Sequence, residues 1–129
     1  MNSPVNEWIE KAEEDCRVAL TLRRLRRNPA HNAVCFHAQQ CVEKYLKAAL
    51  VDLGIPFAKT HDLLPLLDTC SARHALWATW RDDVEWLSQY AVLFRYPGES
   101  ATADDAKKAV SIMRKLCPEL RDALRLGPL

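Results

Sequence analysis

The segment CFHAQQCVEKYLKAAL, residues 35–50, decides the fold that this sequence predicts. When the segment is plotted at about 100° per residue, its small and apolar side chains occupy one side of a helix. The opposite side carries a short row of polar side chains, namely His37, Gln40, Lys44 and Lys47. The segment is therefore predicted to form an amphipathic helix that packs through its apolar side. Gln39 lies beside the apolar side, so its buried amide will need hydrogen-bond partners.

Length and composition favour one helical domain that spans residues 1–129. Hydrophobic residues make up 49% of the chain and charged residues 27%, which is an ordinary balance for a globular protein. Three glycines and the lack of an alternating Val, Ile or Thr segment argue against a β-sheet. The net charge of +1 gives no general reason to expect nucleic-acid binding, although a local basic patch would still permit it.

The cysteines and the N-terminal segment predict a cytoplasmic protein. Five cysteines, an odd number without a C-x-x-C motif, are interpreted as reduced and buried thiols. Residues 1–4 lack the cationic and apolar runs of a signal peptide. No uncharged run approaches the roughly 18 residues of a membrane span, so we expect no membrane association. We also expect no cofactor and no metal, since the acids Asp82 and Asp83 have no histidine or third acid at ligand spacing.

Periodicity and helix-end signals predict an all-α, up-and-down bundle of four long helices and one short helix. The first four predicted helices span residues 4–27, 30–53, 61–69 and 71–94, and the fifth begins near Thr102 and ends at Gly127. The predicted N-terminal caps are Ser3, Thr60 and Thr102 or nearby Ser100, and Gly54 suits a C-terminal cap. The fourth helix carries an apolar stripe, Trp77, Trp80, Val84, Leu87, Ala91 and Phe94. Pro118 should kink or interrupt the last helix.

In this bundle, three groups of polar residues are expected to converge at one end. They are Lys44 and Lys47 of the second helix, Thr60-His61-Asp62 before the third, and Arg95-Tyr96 after the fourth. Such a cationic rim would suit a phosphate-bearing ligand, because lysine and arginine donate charge-assisted hydrogen bonds. The sequence leaves an alternative open, in which His61 and Asp62 only end a loop, Arg95 pairs locally and the polar row is solvated.

The sequence resembles the HEPN domain family, which consists of small helical proteins and domains of prokaryotes. The resemblance rests on residues 36–48 (FHAQQCVEKYLKA), on Thr60-His61-Asp62-Leu63 and on Arg95-Tyr96-Pro97. Trp8, Ala12 and Asp15 also resemble the first helix of the family. The resemblance implies a helical bundle that commonly forms a homodimer. It further implies a minimal nucleotidyltransferase as partner, in some members as toxin and antitoxin, and nucleotide binding in others.

Many members of the family are metal-independent ribonucleases with an arginine followed, after four to six residues, by a histidine. This sequence departs from that motif. Arg95 is the arginine nearest the expected position, but no histidine follows it, since the last histidine is His74. One formal match, Arg26 to His31, falls in the first interhelical turn and is interpreted as coincidence. The residues that the resemblance implies as ligand or partner contacts are Gln40, Lys44, Lys47, His61, Asp62, Arg95 and Tyr96.

Three functional hypotheses fit these features. The first is a dimeric HEPN-like module that binds nucleotide, RNA or a nucleotidyltransferase without nuclease activity, and the missing motif favours it. The second is a ribonuclease toxin in which Arg95 stabilises the phosphate and His61 or His37 moves the proton. The third is a structural dimerisation domain in which Gln39, His61 and Arg95 form a buried network.

Overall fold

The computed structural model describes residues 3–93 and 96–127. The α-helices in these ranges are α1 Ser3–Arg23, α2 His31–Asp52, α3 Leu63–Ser71, α4 Arg81–Ser88 and α5 Ala103–Ala123, and a 3₁₀-helix, Ala75–Trp80, directly precedes α4. The predicted all-α class with five helices is confirmed. The first helix ends about one turn earlier than predicted. Across the described ranges, no helix combines the length and the apolar character that crossing a bilayer requires.

Helix α2 lies at the centre of the bundle, because it packs against α1, α3, α4 and α5. Its apolar side contributes the large buried side chains Tyr45, Leu46 and Leu50, as the periodicity predicts. Its polar side is also buried in part, since Glu43 and Lys47 are almost inaccessible to solvent. The alternative of a solvated polar row is therefore wrong for this part of the helix. The neighbours that cover α2 on several sides leave few of its residues at the surface.

The predicted fourth helix, residues 71–94, is the main difference between prediction and structure. In its place are the 3₁₀-helix, the short helix α4 and a run of turns and bends over residues 89–93. The rings of His74, Trp77 and Trp80 stack in a column, with centroid separations of 4.0 and 5.0 Å. Side chains three residues apart align in a 3₁₀-helix, so this column suits the tighter winding. Over the residues that the structure describes, the bundle consequently has three long helices rather than four.

The apolar stripe predicted for this region is nevertheless largely buried. Its buried members are Trp77, Trp80, Val84 and Leu87. Ala91 is only partly buried, and Phe94 lies outside the described residues. The periodicity therefore identified the side that packs on the core but not the type or the length of the helix.

Residues in the left-handed conformation end both α2 and α5. Gly54 has a φ of +71°, and the backbone N–H groups of Gly54 and Ile55 donate to carbonyls in the last turn of α2. This is a Schellman motif, which confirms the predicted role of Gly54. Helix α5 ends in the same way at Arg125, with a φ of +61°, and not at Gly127. Leu124, the C-cap residue immediately before this turn, is buried.

The N-terminal caps agree with the sequence in one case and differ in another. Thr102 and Asp105 form a reciprocal capping box at the start of α5, as predicted for Thr102. Helix α3 begins two residues later than predicted, because its cap is Asp62. The Thr60 hydroxyl instead accepts a hydrogen bond from the backbone N–H of Asp62. Pro118, which was predicted to kink or interrupt α5, lies inside a helix that continues to Ala123.

Candidate functional site

Asp15 of α1 bridges two members of the polar row on α2. One of its carboxylate oxygens lies 2.7 Å from Nδ1 of His37, and the other accepts a hydrogen bond from the ammonium group of Lys44. Asp15 itself is buried between the two helices. The charge of Lys44 is therefore neutralised within the contact between α1 and α2.

Glu43 of α2 bridges a second lysine and a second histidine, Lys47 of the same helix and His61 of the following segment. Its Oε2 accepts a hydrogen bond from Lys47 Nζ at 3.2 Å, and its two oxygens lie 3.2 and 3.3 Å from Nδ1 of His61. Only 2% of Glu43 is exposed. Because His61 comes from the segment between α2 and α3, this carboxylate ties that segment to α2.

The side-chain amide of Gln39 completes the network around Glu43. Its Nε2 donates to Glu43 Oε1 at 3.3 Å and to the backbone carbonyl of His61 at 3.0 Å. Its Oε1 accepts a hydrogen bond from Nε2 of Gln40 at 2.7 Å. The prediction that a buried Gln39 needs partners is confirmed. Among the described residues, every buried side-chain nitrogen and oxygen has a hydrogen-bond partner, so the network meets the requirement for a stable buried polar cluster.

Lys47 is enclosed by aromatic rings as well as by its acid. Its Nζ lies 5.2 Å from the centroid of the Trp8 ring and 5.9 Å from that of Phe57. Only 5% of the residue is exposed. Aromatic faces attract cations, and this attraction is stronger away from water. Lys47 is thus an internal ammonium group whose charge is paired with Glu43 and covered by aromatic rings.

His61 is the most accessible of the histidines and lysines in this cluster. Its side chain is 67% exposed even though Nδ1 contacts the buried carboxylate of Glu43. A carboxylate on one ring nitrogen orients the imidazole and leaves the other nitrogen for a proton or a ligand. Chemically, the arrangement offers one oriented imidazole at the surface above an internal, charge-compensated network.

Of the remaining predicted site residues, only Asp62 is shown at the edge of this cluster. The Asp62 carboxylate caps α3 and accepts a hydrogen bond from Ser88 Oγ at 3.3 Å. Tyr96 is exposed in the connection to α5. Arg95 lies outside the described residues. The structure therefore brings together Gln40, Lys44, Lys47 and His61, whereas the predicted convergence with Arg95 stays a prediction.

A sequence comparison shows which family this arrangement represents. The sequence pattern of the HEPN domain matches residues 5–122. The chain belongs to the HEPN domain family. The HEPN fold is also found in a crystal structure of ST0689, an archaeal HEPN homologue, with a TM-score of 0.67 and 22% sequence identity over 95% of this chain and 98% of that one.

A curated relative of this HEPN chain carries a toxin name. The protein named "Putative toxin MJ1304", from Methanocaldococcus jannaschii, is 28% identical over 135 residues. The matched region covers 92% of this chain and 86% of the relative. The similarity thus extends over most of both chains.

The two acids that organise the network of this HEPN domain were not among the predicted site residues. Glu43 could have been found, because it lies four residues before Lys47 and such pairs share one side of a helix. Asp15 gives no comparable local signal, since both of its partners belong to another helix. No three His, Cys, Asp or Glu side chains within residues 3–93 and 96–127 form a group that could hold a metal.

The formal ribonuclease motif of this HEPN chain is not built into the network. Arg26 is exposed in the connection between α1 and α2, and His31 is the first residue of α2. The histidines in the network are instead His37 and His61, and Nδ1 of each lies within hydrogen-bond distance of a carboxylate. The interpretation of Arg26 and His31 as a chance match stays a prediction that only an activity measurement can test.

Proposed function

We propose that this chain is a cytoplasmic, homodimeric HEPN module of a toxin–antitoxin pair, which binds a minimal nucleotidyltransferase and does not cleave RNA. The observation that carries the proposal is that both lysines of the α2 row are paired with acids, Lys44 with Asp15 and Lys47 with Glu43. Similarity to a protein with a toxin name supports the toxin-related part. Five free cysteines suit a reducing compartment.

The paired lysines favour a protein partner over a nucleotide. A phosphate group that replaced Glu43 on Lys47 would break a buried ion pair, which costs about 3–5 kcal/mol. The exposed groups of the network and its edge include the His61 imidazole and the Asp62 carboxylate, and the Tyr96 ring is exposed in the connection to α5. An aromatic ring flanked by polar groups is typical of protein interfaces. This mixture therefore fits the surface of a folded partner better than a row of phosphates.

Co-expression with a minimal nucleotidyltransferase tests the proposal. Light scattering on a sizing column should give the isolated chain twice its mass of 14.7 kDa and should show a stable complex with the partner. Replacing exposed His61 by alanine should weaken the complex about tenfold, as expected for an anchor within an interface. The exposed Arg73, after α3, provides a matched control as Arg73→Ala. A monomer, or a mixture that elutes as two separate proteins, would contradict the proposal.

Titration with ATP separates the protein-binding hypothesis from the nucleotide-binding alternative. We expect no heat of binding and no increase in melting temperature, because the lysine charges are compensated. Heat release that disappears in the Lys47→Met variant, with an unchanged fold, would instead establish nucleotide binding at the row.

A ribonuclease is the second candidate, because the His61 imidazole is exposed and its Nδ1 lies on a buried carboxylate. Such a histidine could take the proton from a ribose 2′-hydroxyl. Purified protein should leave a mixed RNA substrate intact if the first proposal is correct. Cleavage that is lost in His61→Gln but kept in the control His31→Gln would identify the enzyme instead.

A further inference from the structure

Three cysteine thiols meet where α1, α2 and α5 pack together. The Sγ atoms of Cys41 and Cys117 lie 3.6 Å apart. Cys16 lines the same cavity as Cys117 and interacts electrostatically with Cys41. All five cysteines of the chain are free and buried, which confirms their predicted burial. Cys16, Cys41 and Cys117 lie together, unlike Cys35 and Cys70. This cluster therefore contains the two thiols that a disulfide requires.

A cavity of about 330 Å³ gives access to one side of the cluster. Cys16 and Cys117 line it together with the side chains of Arg114, Arg121, Leu20 and Met113. Cys41 does not line the cavity and is completely inaccessible to solvent. A small molecule in the cavity would therefore meet Cys16 or Cys117 first and would find Cys41 directly behind them.

The charges around the cavity favour Cys16 as the reactive thiol. The hydrogen bond from Cys41, helped by the positive charges of Arg114 and Arg121, outweighs burial and lowers the pKa of Cys16 to about 7. Burial raises the pKa of Cys41 well above its ordinary value. Since the thiolate is the nucleophile, Cys16 should react first. Cys41 is the second thiol because of its position in the cluster and not because of its own acidity, since it reacts only after Cys16 has been oxidised.

We propose that the Cys16 cavity is a peroxide-reactive site, at which Cys16 is oxidised and then forms a disulfide with Cys41. In the first step, the Cys16 thiolate attacks hydrogen peroxide, an S–O bond forms, the O–O bond breaks, and the departing hydroxide takes a proton to give water. In the second step, the Cys41 sulfur attacks the Cys16 sulfenic acid, an S–S bond replaces the S–O bond, and the Cys41 proton leaves with hydroxide as a second water.

This disulfide would link α1 to α2 beside the polar network. Cys16 directly follows Asp15, and Cys41 directly follows Gln40. Oxidation would fix the two helices to each other at the point where Asp15 bridges His37 and Lys44. The site does not depend on the proposed partner or on RNA, so its test is independent of the proposed function.

Differential alkylation of the full chain tests the site. The reduced protein is treated with hydrogen peroxide at pH 7, unreacted thiols are alkylated under denaturing conditions, and peptides are mapped by mass spectrometry. We expect a disulfide-linked peptide pair that contains Cys16 and Cys41 and lacks two hydrogen atoms. Oxidation of Cys16 should be at least about tenfold faster than that of Cys70, because the thiolate reacts and burial raises the pKa of Cys70 to about 12.

The Cys16→Ser variant is the matched control. If this variant folds poorly, the wild-type peptide map alone still shows whether the Cys16–Cys41 disulfide forms. In the variant, Cys41 and Cys117 should both remain reduced after the same peroxide treatment. Complete alkylation of all five cysteines in the treated wild type would overturn the proposal. So would a disulfide between Cys41 and Cys117 that forms equally fast without Cys16.

Discussion

The buried carboxylate of Glu43 lies within hydrogen-bond distance of Nδ1 of His61. His61 belongs to the segment that connects α2 to α3. One acid from the central helix thus holds a segment 18 residues further along the chain. The same acid neutralises Lys47, whose ammonium group lies beneath Trp8 and Phe57. The polar side of α2 therefore connects several elements of the bundle. The exposed part of this network is the His61 imidazole, which Glu43 orients.

Replacing Glu43 by glutamine should destabilise the protein strongly. The substitution keeps the volume but leaves the buried ammonium of Lys47 without its counter-charge, which should lower the free energy of unfolding by about 3–5 kcal/mol. Urea denaturation monitored by circular dichroism measures the change. The control is Asp68→Asn, which removes an exposed acid paired with Arg81 and should leave the midpoint unchanged. Equal stability of both variants would contradict an internal role for Glu43.

Removing the partner charge as well should restore part of the stability. In the double variant Glu43→Gln/Lys47→Met, no unpaired charge remains in the interior. A double-mutant cycle with the two single variants should therefore give a coupling free energy of about 2 kcal/mol. Additive effects of the two substitutions would mean that the ammonium and the carboxylate do not interact in solution.

The buried thiol of Cys70 should make the protein sensitive to alkaline pH. Burial raises its pKa from 9.0 to about 12. Above pH 9 the unfolded chain releases this proton while the folded chain keeps it, so stability is complete below pH 9 and falls as the pH rises toward 12. The loss should be about 1.4 kcal/mol per pH unit. The stability difference between wild type and Cys70→Ala should therefore shrink over this range, and a constant difference would contradict the assignment.

Gly54 should tolerate a side chain less well than Gly127. A Cβ atom would have no neighbour within 4 Å at either position, so steric contacts do not distinguish them. Gly54 has a φ of +71°, which an alanine adopts only with strain. Gly54→Ala should lower the free energy of unfolding by about 1 kcal/mol. Gly127→Ala should change it by less than about 0.5 kcal/mol in the same denaturation experiment.

The long helices could be predicted because their apolar side chains repeat over many turns. Helices α1, α2 and α5 each contain more than 20 residues, and a period of 3.6 is unambiguous over such lengths. The region of α4 was harder, because the spacing of Trp77 and Trp80 suits a 3₁₀-helix as well as an α-helix. The end of α5 at Arg125 was missed because its left-handed residue is not a glycine, whereas Gly127 two residues later gave the expected signal.

The sequence by itself determined the helical class, the central helix and the side of each long helix that faces the core. It also placed the polar residues of α2 in one row, because side chains three and four residues apart share a side of any α-helix. Only the tertiary structure decided what that row does. The burial of Lys47 depends on Trp8 and Phe57, and the charge of Lys44 is matched by Asp15, all of them from other segments. Such contacts follow from how the helices pack, and no local pattern in the chain encodes them.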